Sequence, residues 1–293
     1  MSDGTISWAE LMSEAEARFG RVGIESPAVN ARRIVEEASG TPPSEFHQVL
    51  AESATVRGVA RFDAMVARRE NGEPLQYVLG NWSFRELEVM VDRRALIPRP
   101  ETEMVAGLAI DEVTARSGGI QREVLVADLG TGTGVIALSI ATECPRSRVL
   151  ATDISPDALA VARANLTGIG RASTRVTLHE GDWFDALPHA VRGSLDVIVS
   201  NPPYISDAEV LPAVVADHEP ASALRSGPIG TEFLGRIVDD AGEWLGPDGA
   251  LVLEMAPMQT EGIAARAKLR GYKTSIHSDL SGRARAVVAR RTV

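Results

Sequence analysis

From Val124 onward, short apolar runs alternate with segments of helical period, and this alternation constrains the fold more than any other feature of the chain. Residues 124–129, 148–153, 175–179, 195–200 and 250–255 read as strands, while 134–142, 156–167, 231–245 and 260–269 read as helices. A helix over 104–114 precedes the series, and 272–277 with 285–291 form a terminal antiparallel pair. Strands separated by helices predict a doubly wound α/β layer with a largely parallel sheet buried on both faces.

Residues 5–72 follow a different pattern. Thr5 or Ser7 caps a helix carrying Trp8, Leu11, Met12, Ala15 and Phe19, and Gly23 and Pro27 end it. Ala31, Ile34, Val35 and Ala38 mark a second helix closed by GTPP; 44–50 and 59–69 read as two more. Short, modestly apolar helices must pack together, so a small helical bundle is expected, and we read it as a module that recognises a macromolecular substrate. The domains expected are 1–75 helical, 76–100 a linker with a β-hairpin around Phe84, Leu87, Val89 and Val91, and 101–293 catalytic. NGEP and LGNW read as turns. In the linker, Pro98 and Pro100 keep the backbone extended and present Arg99 as an edge over a neighbouring ligand.

DLGTGTG follows the first strand and opens a helix, so Gly130, Gly132 and Gly134 allow a tight turn and a close backbone approach to a ligand. By itself this pattern fits nicotinamide, flavin and sulfonium cofactors alike. Asp153, ending the second strand, can take both hydrogen bonds of a ribose diol. Asp128 adds negative charge beside the loop, which suits a cationic sulfonium better than a pyrophosphate. Asp182 can receive an adenine amino group or orient the loop, and Trp183 or Phe184 can cover a purine; spacing does not choose between the two aromatics.

The fourth strand, DVIVS, runs into Asn201, Pro202, Pro203 and Tyr204. Both prolines stiffen this loop. Its place at the carboxyl edge suits methylation of a planar nitrogen, whose lone pair is delocalised. The Asn201 side-chain oxygen and the Pro202 carbonyl can accept the two N–H groups and hold that nitrogen in line, while Tyr204 stacks on the flat group. A nicotinamide dehydrogenase would present a catalytic Lys, His or Tyr here instead.

The formal charge of -10 argues against a nucleic-acid binder, and the base-methylating enzymes that share an Asn-Pro-Pro clamp would need a basic channel. A single cysteine, Cys144, excludes a disulfide framework and a four-cysteine metal site. The five histidines are scattered, so no metal is expected. The N-terminal segment signals neither export nor membrane insertion, and a cytoplasmic location without a membrane partner is expected.

DLGTGTG, TDIS, GDWF and NPPYI together resemble a class I S-adenosylmethionine-dependent methyltransferase. RRENGEPLQYVLG, FRELEVMVDRRALIPRPETE, HEPASAL and DLSGRARAVVAR narrow the resemblance to the peptide chain release factor glutamine N5-methyltransferase family, from about Trp8 to Val293. It implies a Rossmann-like fold with a mostly parallel seven-stranded sheet, a small helical N-terminal domain and a connecting hairpin. The implied reaction moves a methyl group from S-adenosylmethionine, leaving S-adenosylhomocysteine, to the glutamine of the GGQ motif in bacterial class 1 release factors. No stable nucleic-acid partner and a monomeric state are expected. The cofactor residues that the resemblance implies are Gly130, Thr131, Gly132, Thr133, Gly134, Asp153 and Trp183, and the reading of the residues themselves adds Asp128, Asp182 and Asn201. Asn201 and Pro202 are the implied catalytic residues, and Asn201, Pro202, Pro203, Tyr204 and Arg99 bind substrate. Departures from the family pattern fall at His218, at RSGPIGTE, at Met255 and Ala256, and at 30–33, where an acidic residue is missing. They leave open a paralogue acting on another amide.

Overall fold

The computed structural model describes residues 5–118 and 122–291. The outer ends of the first and last expected domains, Met1–Gly4 and Thr292–Val293, lie outside the described residues. The chain forms two compact units, one of 1–81 with 213–218 and one of 82–212 with 219–293.

The first unit is helical: α1 (Trp8–Arg21), α2 (Pro27–Ser39), α3 (Phe46–Val49), α4 (Val56–Glu70) and α5 (Leu75–Leu79). Ser7 and Glu10 close a capping box at the start of α1. The apolar stripe of α1 (Trp8, Leu11, Ala15, Phe19) is buried, as are Ile34 and Val35 of α2 and Phe62 and Val66 of α4. Helix α4 starts three residues before the expected 59 because Thr55 caps it. Gly58 permits this start, since a Cβ there would lie 2.9 Å from the Trp8 ring. Asn30 is buried; its Oδ1 accepts from Arg69 Nε at 2.8 Å and its Nδ2 donates to the Glu25 and Ser26 carbonyls. NGEP turns at Asn71 and Gly72 as expected, and between it and Gly80 the chain forms α5, whose Tyr77, Val78 and Leu79 are buried.

A hairpin follows, β1 (Asn81–Phe84) and β2 (Leu87–Met90), which from Trp82 belongs to the second unit, and then α6 (Pro100–Ser117). Helix α6 begins at Pro100 rather than 104: proline suits a first helical position, and Glu101 and Glu103 complement the N-terminal dipole. Then come β3 (Val124–Leu129), α7 (Val135–Glu143), β4 (Ser147–Asp153), α8 (Pro156–Gly168), β5 (Val176–Glu180) and β6 (Leu195–Ser200). The short α9 (Ala213–Ala216) belongs to the first unit. The chain ends with α10 (Glu232–Trp244), β7 (Leu245–Glu254), α11 (Thr260–Leu269), β8 (Tyr272–Ser278) and β9 (Ala284–Arg291).

Seven strands form one sheet in the order β5-β4-β3-β6-β7-β9-β8. The first five run parallel; β9 is antiparallel to β7 and to β8. β3 and β6 are buried almost throughout, as expected for strands covered on both faces. The chain moves outward from β3 to β5 and returns to place β6 beside β3. Strand order therefore reverses between β3 and β6, and the crevice at their carboxyl ends is where an α/β sheet binds ligands.

Candidate active site

Four loops meet at that crevice. After β3, Gly130, Gly132 and Gly134 all take positive φ (72°, 57° and 88°), a region that strongly favours glycine. Gly130 and Thr131 donate their N–H groups to the Thr152 carbonyl at 2.9 and 2.8 Å, which fixes the loop against β4. Asn165 of α8 steadies it from behind, donating Nδ2 to the Thr133 and Met90 carbonyls and accepting Met90 N–H at 2.7 Å. The loop borders a cavity of about 300 Å³ that is also lined by Arg99, Thr102, Asp153, Asp182, Trp183, Asn201, Pro203 and Phe233.

Asp153 Oδ2 accepts the Gly132 N–H at 2.8 Å and Oδ1 accepts the Ser155 N–H at 2.9 Å. Each oxygen keeps acceptor capacity toward the cavity. Burial raises the pKa of this carboxyl, opposed by those backbone N–H groups. Asp128 is placed differently. It is fully buried beneath the loop and does not line the cavity; its Oδ2 accepts from the Thr131 hydroxyl at 2.6 Å and from Ala137 N–H at 3.1 Å. Burial pushes its pKa up to about 7.

Trp183 and Phe184 face opposite ways. The Trp183 ring covers Gly130, where a Cβ would lie 3.2 Å from it, and packs on Phe233 with 5.3 Å between ring centroids. Phe184 is core, stacked on Trp244. A φ of 46° at Trp183 turns its side chain to the cavity, a left-handed conformation that adjacency in sequence does not reveal. Asp182 Oδ2 is paired with Arg236 at 2.6 Å.

The loop after β6 is held from several sides. Asn201 Nδ2 donates to the Thr102 hydroxyl at 3.1 Å, so the amide oxygen remains the acceptor for a cavity ligand. Pro202 is buried, and Tyr204 packs against the main core. Burial raises the Tyr204 hydroxyl to about 12, so it is neutral. No peptide bond among the described residues is cis. Ile205 forms a bridge with Arg225, and Gly230 sits where a Cβ would lie 2.8 Å from the Tyr204 carbonyl. Gln259 Nε2 donates to the carbonyls of Tyr204 and Gly230, while its Oε1 accepts Ala256 N–H. Thus RSGPIGTE and LVLEMAPMQ both brace the NPPY loop.

Arg99 immediately precedes α6 in extended conformation, and its Nη2 donates to the buried carboxylate of Glu219. Sequence reasoning does not single out Glu219, Thr102, Phe233 or Gln259 as site residues. Among the described residues there is no group of three or more His, Cys, Asp or Glu able to hold a metal ion, and no helix long and apolar enough to cross a membrane.

The residues present fit a cationic nucleoside: a glycine loop open to the ligand, a carboxylate for the ribose, an aromatic wall and desolvated negative charge nearby. A Rossmann-like sheet with an antiparallel final strand pair and this edge define a class I S-adenosylmethionine-dependent methyltransferase. Residues 113–227 match the model of the methyltransferase small domain, and residues 10–80 match that of the PrmC N-terminal domain. The release factor glutamine methyltransferase of Streptomyces coelicolor is 37% identical, covering 96% of this chain and 97% of its own. That of Rhodopirellula baltica is 36% identical, covering 91% and 90%. A methyltransferase from Pyrococcus furiosus shares the fold, with a TM-score of 0.50 at 17% identity over 80% of this chain and 98% of that one. The chain belongs to the release factor glutamine methyltransferase family.

Proposed function

We propose that this enzyme methylates the N5 side-chain amide nitrogen of the glutamine in the GGQ motif of bacterial class 1 release factors, with S-adenosylmethionine as donor. The observation that carries the reading is Asn201: it lines the cavity, and its amide donor is committed to Thr102, so its oxygen is left to accept an N–H from the acceptor. Near-full-length similarity to enzymes named for release factor glutamine methylation supports the substrate.

Bound S-adenosylmethionine supplies an electrophilic methyl group on a positively charged sulfur. Gly130, Thr131, Gly132, Thr133 and Gly134 would hold its amino-acid and ribose portions, Asp153 the ribose diol, and Trp183 with Asp182 the adenine. An amide nitrogen is a poor nucleophile, and no side-chain base removes its proton beforehand. Asn201 and the Pro202 carbonyl would instead bind its two N–H groups, orient it and stabilise positive charge as it develops on nitrogen. Tyr204, neutral and partly buried, would pack against the flat amide. The helical unit would dock the release factor, a monomer suffices, and a substrate that works on the ribosome places the reaction in the cytoplasm. Incubation with methyl-labelled donor and a release factor, DNA or rRNA tests the reading. Label should appear on the factor and vanish when its GGQ glutamine is replaced; label on nucleic acid would overturn it.

A further inference from the structure

Asn201, Pro202, Pro203 and Tyr204 cross the carboxyl edge of the sheet outside any strand or helix, and two of the four have no N–H to donate. Such a span takes its position from its ends. At the entry, the Ser200 hydroxyl donates to the Leu129 carbonyl at 2.6 Å, tying the last residue of β6 to the last of β3. At the exit, Gln259 Nε2 donates to the Tyr204 carbonyl at 2.8 Å and to the Gly230 carbonyl at 3.1 Å. Its Oε1 accepts the Ala256 N–H at 3.0 Å.

Those three bonds leave the Gln259 carboxamide one orientation. The two carbonyls can only accept and the Ala256 N–H can only donate, so the nitrogen must face the first two and the oxygen the third. The side chain reaches across because β7 pairs with β6 in parallel, Leu253 beside Ser200, which makes neighbours of the loops leaving both strands. Gly230, with φ of 78°, comes so close that a Cβ would lie 2.8 Å from the Tyr204 oxygen. Gln259 itself does not line the cavity. We propose that Gln259 is a positioning residue for methyl transfer: its two N–H groups fix the exit of the 201–204 loop, and with it the Pro202 carbonyl that receives an N–H of the acceptor. This rests on that loop being the acceptor clamp, as proposed above.

A displaced clamp misaligns the acceptor nitrogen with the methyl group, and a shift of about 1 Å can cost about 10²-fold in rate. The donor side is held separately: Gly130 and Thr131 are tied to the Thr152 carbonyl, and Asp153 to the Gly132 N–H. Loss of the Gln259 donors should therefore lower kcat and leave donor affinity as it is.

The test uses Gln259→Glu and Gln259→Met, with steady-state kinetics on a release factor at saturating S-adenosylmethionine, donor affinity by calorimetry, and thermal midpoints to confirm folding. The first substitution keeps the size of the side chain, but as a carboxylate it has no N–H and sets negative charge against two carbonyls. In both variants kcat should fall about tenfold or more, with KM for the release factor and donor affinity within about threefold of the wild type. The facing carbonyls raise the pKa of the introduced carboxyl, and once protonated it regains one donor. The ratio of Gln259→Glu to wild-type kcat should therefore rise as pH falls from about 8 to about 5.5, while the ratio for Gln259→Met stays flat. Wild-type kcat in either variant, a pH-independent ratio for Gln259→Glu, or a loss confined to KM or donor affinity would overturn the proposal. If the unmutated enzyme binds donor but leaves the release factor unmethylated, the substrate reading fails first and takes this inference with it.

Discussion

Arg99 Nη2 donates to Glu219 Oε1 over 2.5 Å, while the other oxygen of that carboxylate accepts the Ile97 N–H at 3.2 Å. One buried side chain thus staples both ends of the Ile97-Pro98-Arg99 segment to HEPASAL, at the mouth of the cavity. The charge that reads from sequence as a presented cation is largely neutralised by a partner 120 residues away.

Removing the arginine should therefore cost more than neutralising its partner. Arg99→Ala strands a buried carboxylate; with the arginine itself 32% exposed, a loss of about 1–3 kcal/mol of unfolding free energy is expected. Glu219→Gln keeps an acceptor for Ile97 N–H and should cost about 1 kcal/mol. Urea midpoints of the two variants check the order.

Asp128 should make stability and donor binding depend on pH. Burial raises its folded pKa to about 7 from an unfolded value near 3.8, so the folded state holds the proton more tightly. That contribution is complete below about pH 4 and is lost as pH rises through about 7. A cationic donor in the nearby cavity favours the carboxylate, so binding near neutral pH should release a proton. Calorimetry in buffers of different ionisation enthalpy should detect that release for the wild type and a smaller one for Asp128→Asn. The variant should also lose less stability between pH 5 and 8.

The glycine loop separates binding from folding. At Gly132, with φ of 57°, a Cβ would have nothing within 4 Å, so Gly132→Ala should cost about 1 kcal/mol of strain and act mainly by filling the cavity. At Gly134, with φ of 88°, a Cβ would meet Leu138 at 3.3 Å and Ala162 at 3.4 Å. Gly134→Ala should destabilise by about 2–3 kcal/mol. Thermal midpoints and donor affinities measured together should show Gly132→Ala as the binding defect and Gly134→Ala as the folding defect.

The sheet and its loops were legible because their signals are local. β3, β4 and β6 are contiguous apolar runs, and the glycine loop and Asp153 sit at their ends. Helix α5 was not: five residues between Pro74 and Gly80 carry no helical period, and burial of Tyr77, Val78 and Leu79 settles them. Asp128 reads as a ligand neighbour but lies beneath the loop, because sequence places a side chain near a turn without saying which face it takes. Thr102 and Glu219 act through partners from 99 to 122 residues away, so no window on the sequence could join them.

The proposed reaction is methylation of one glutamine positioned by Asn201. Tandem mass spectrometry of the GGQ peptide, after the enzyme acts on an unmethylated release factor, reads it directly. One added methyl is expected on the glutamine side-chain nitrogen. Asn201→Ala should lose nearly all of that product, about 10²-fold or more in turnover, while donor binding persists. A methyl group on another residue, or full turnover by Asn201→Ala, would contradict it.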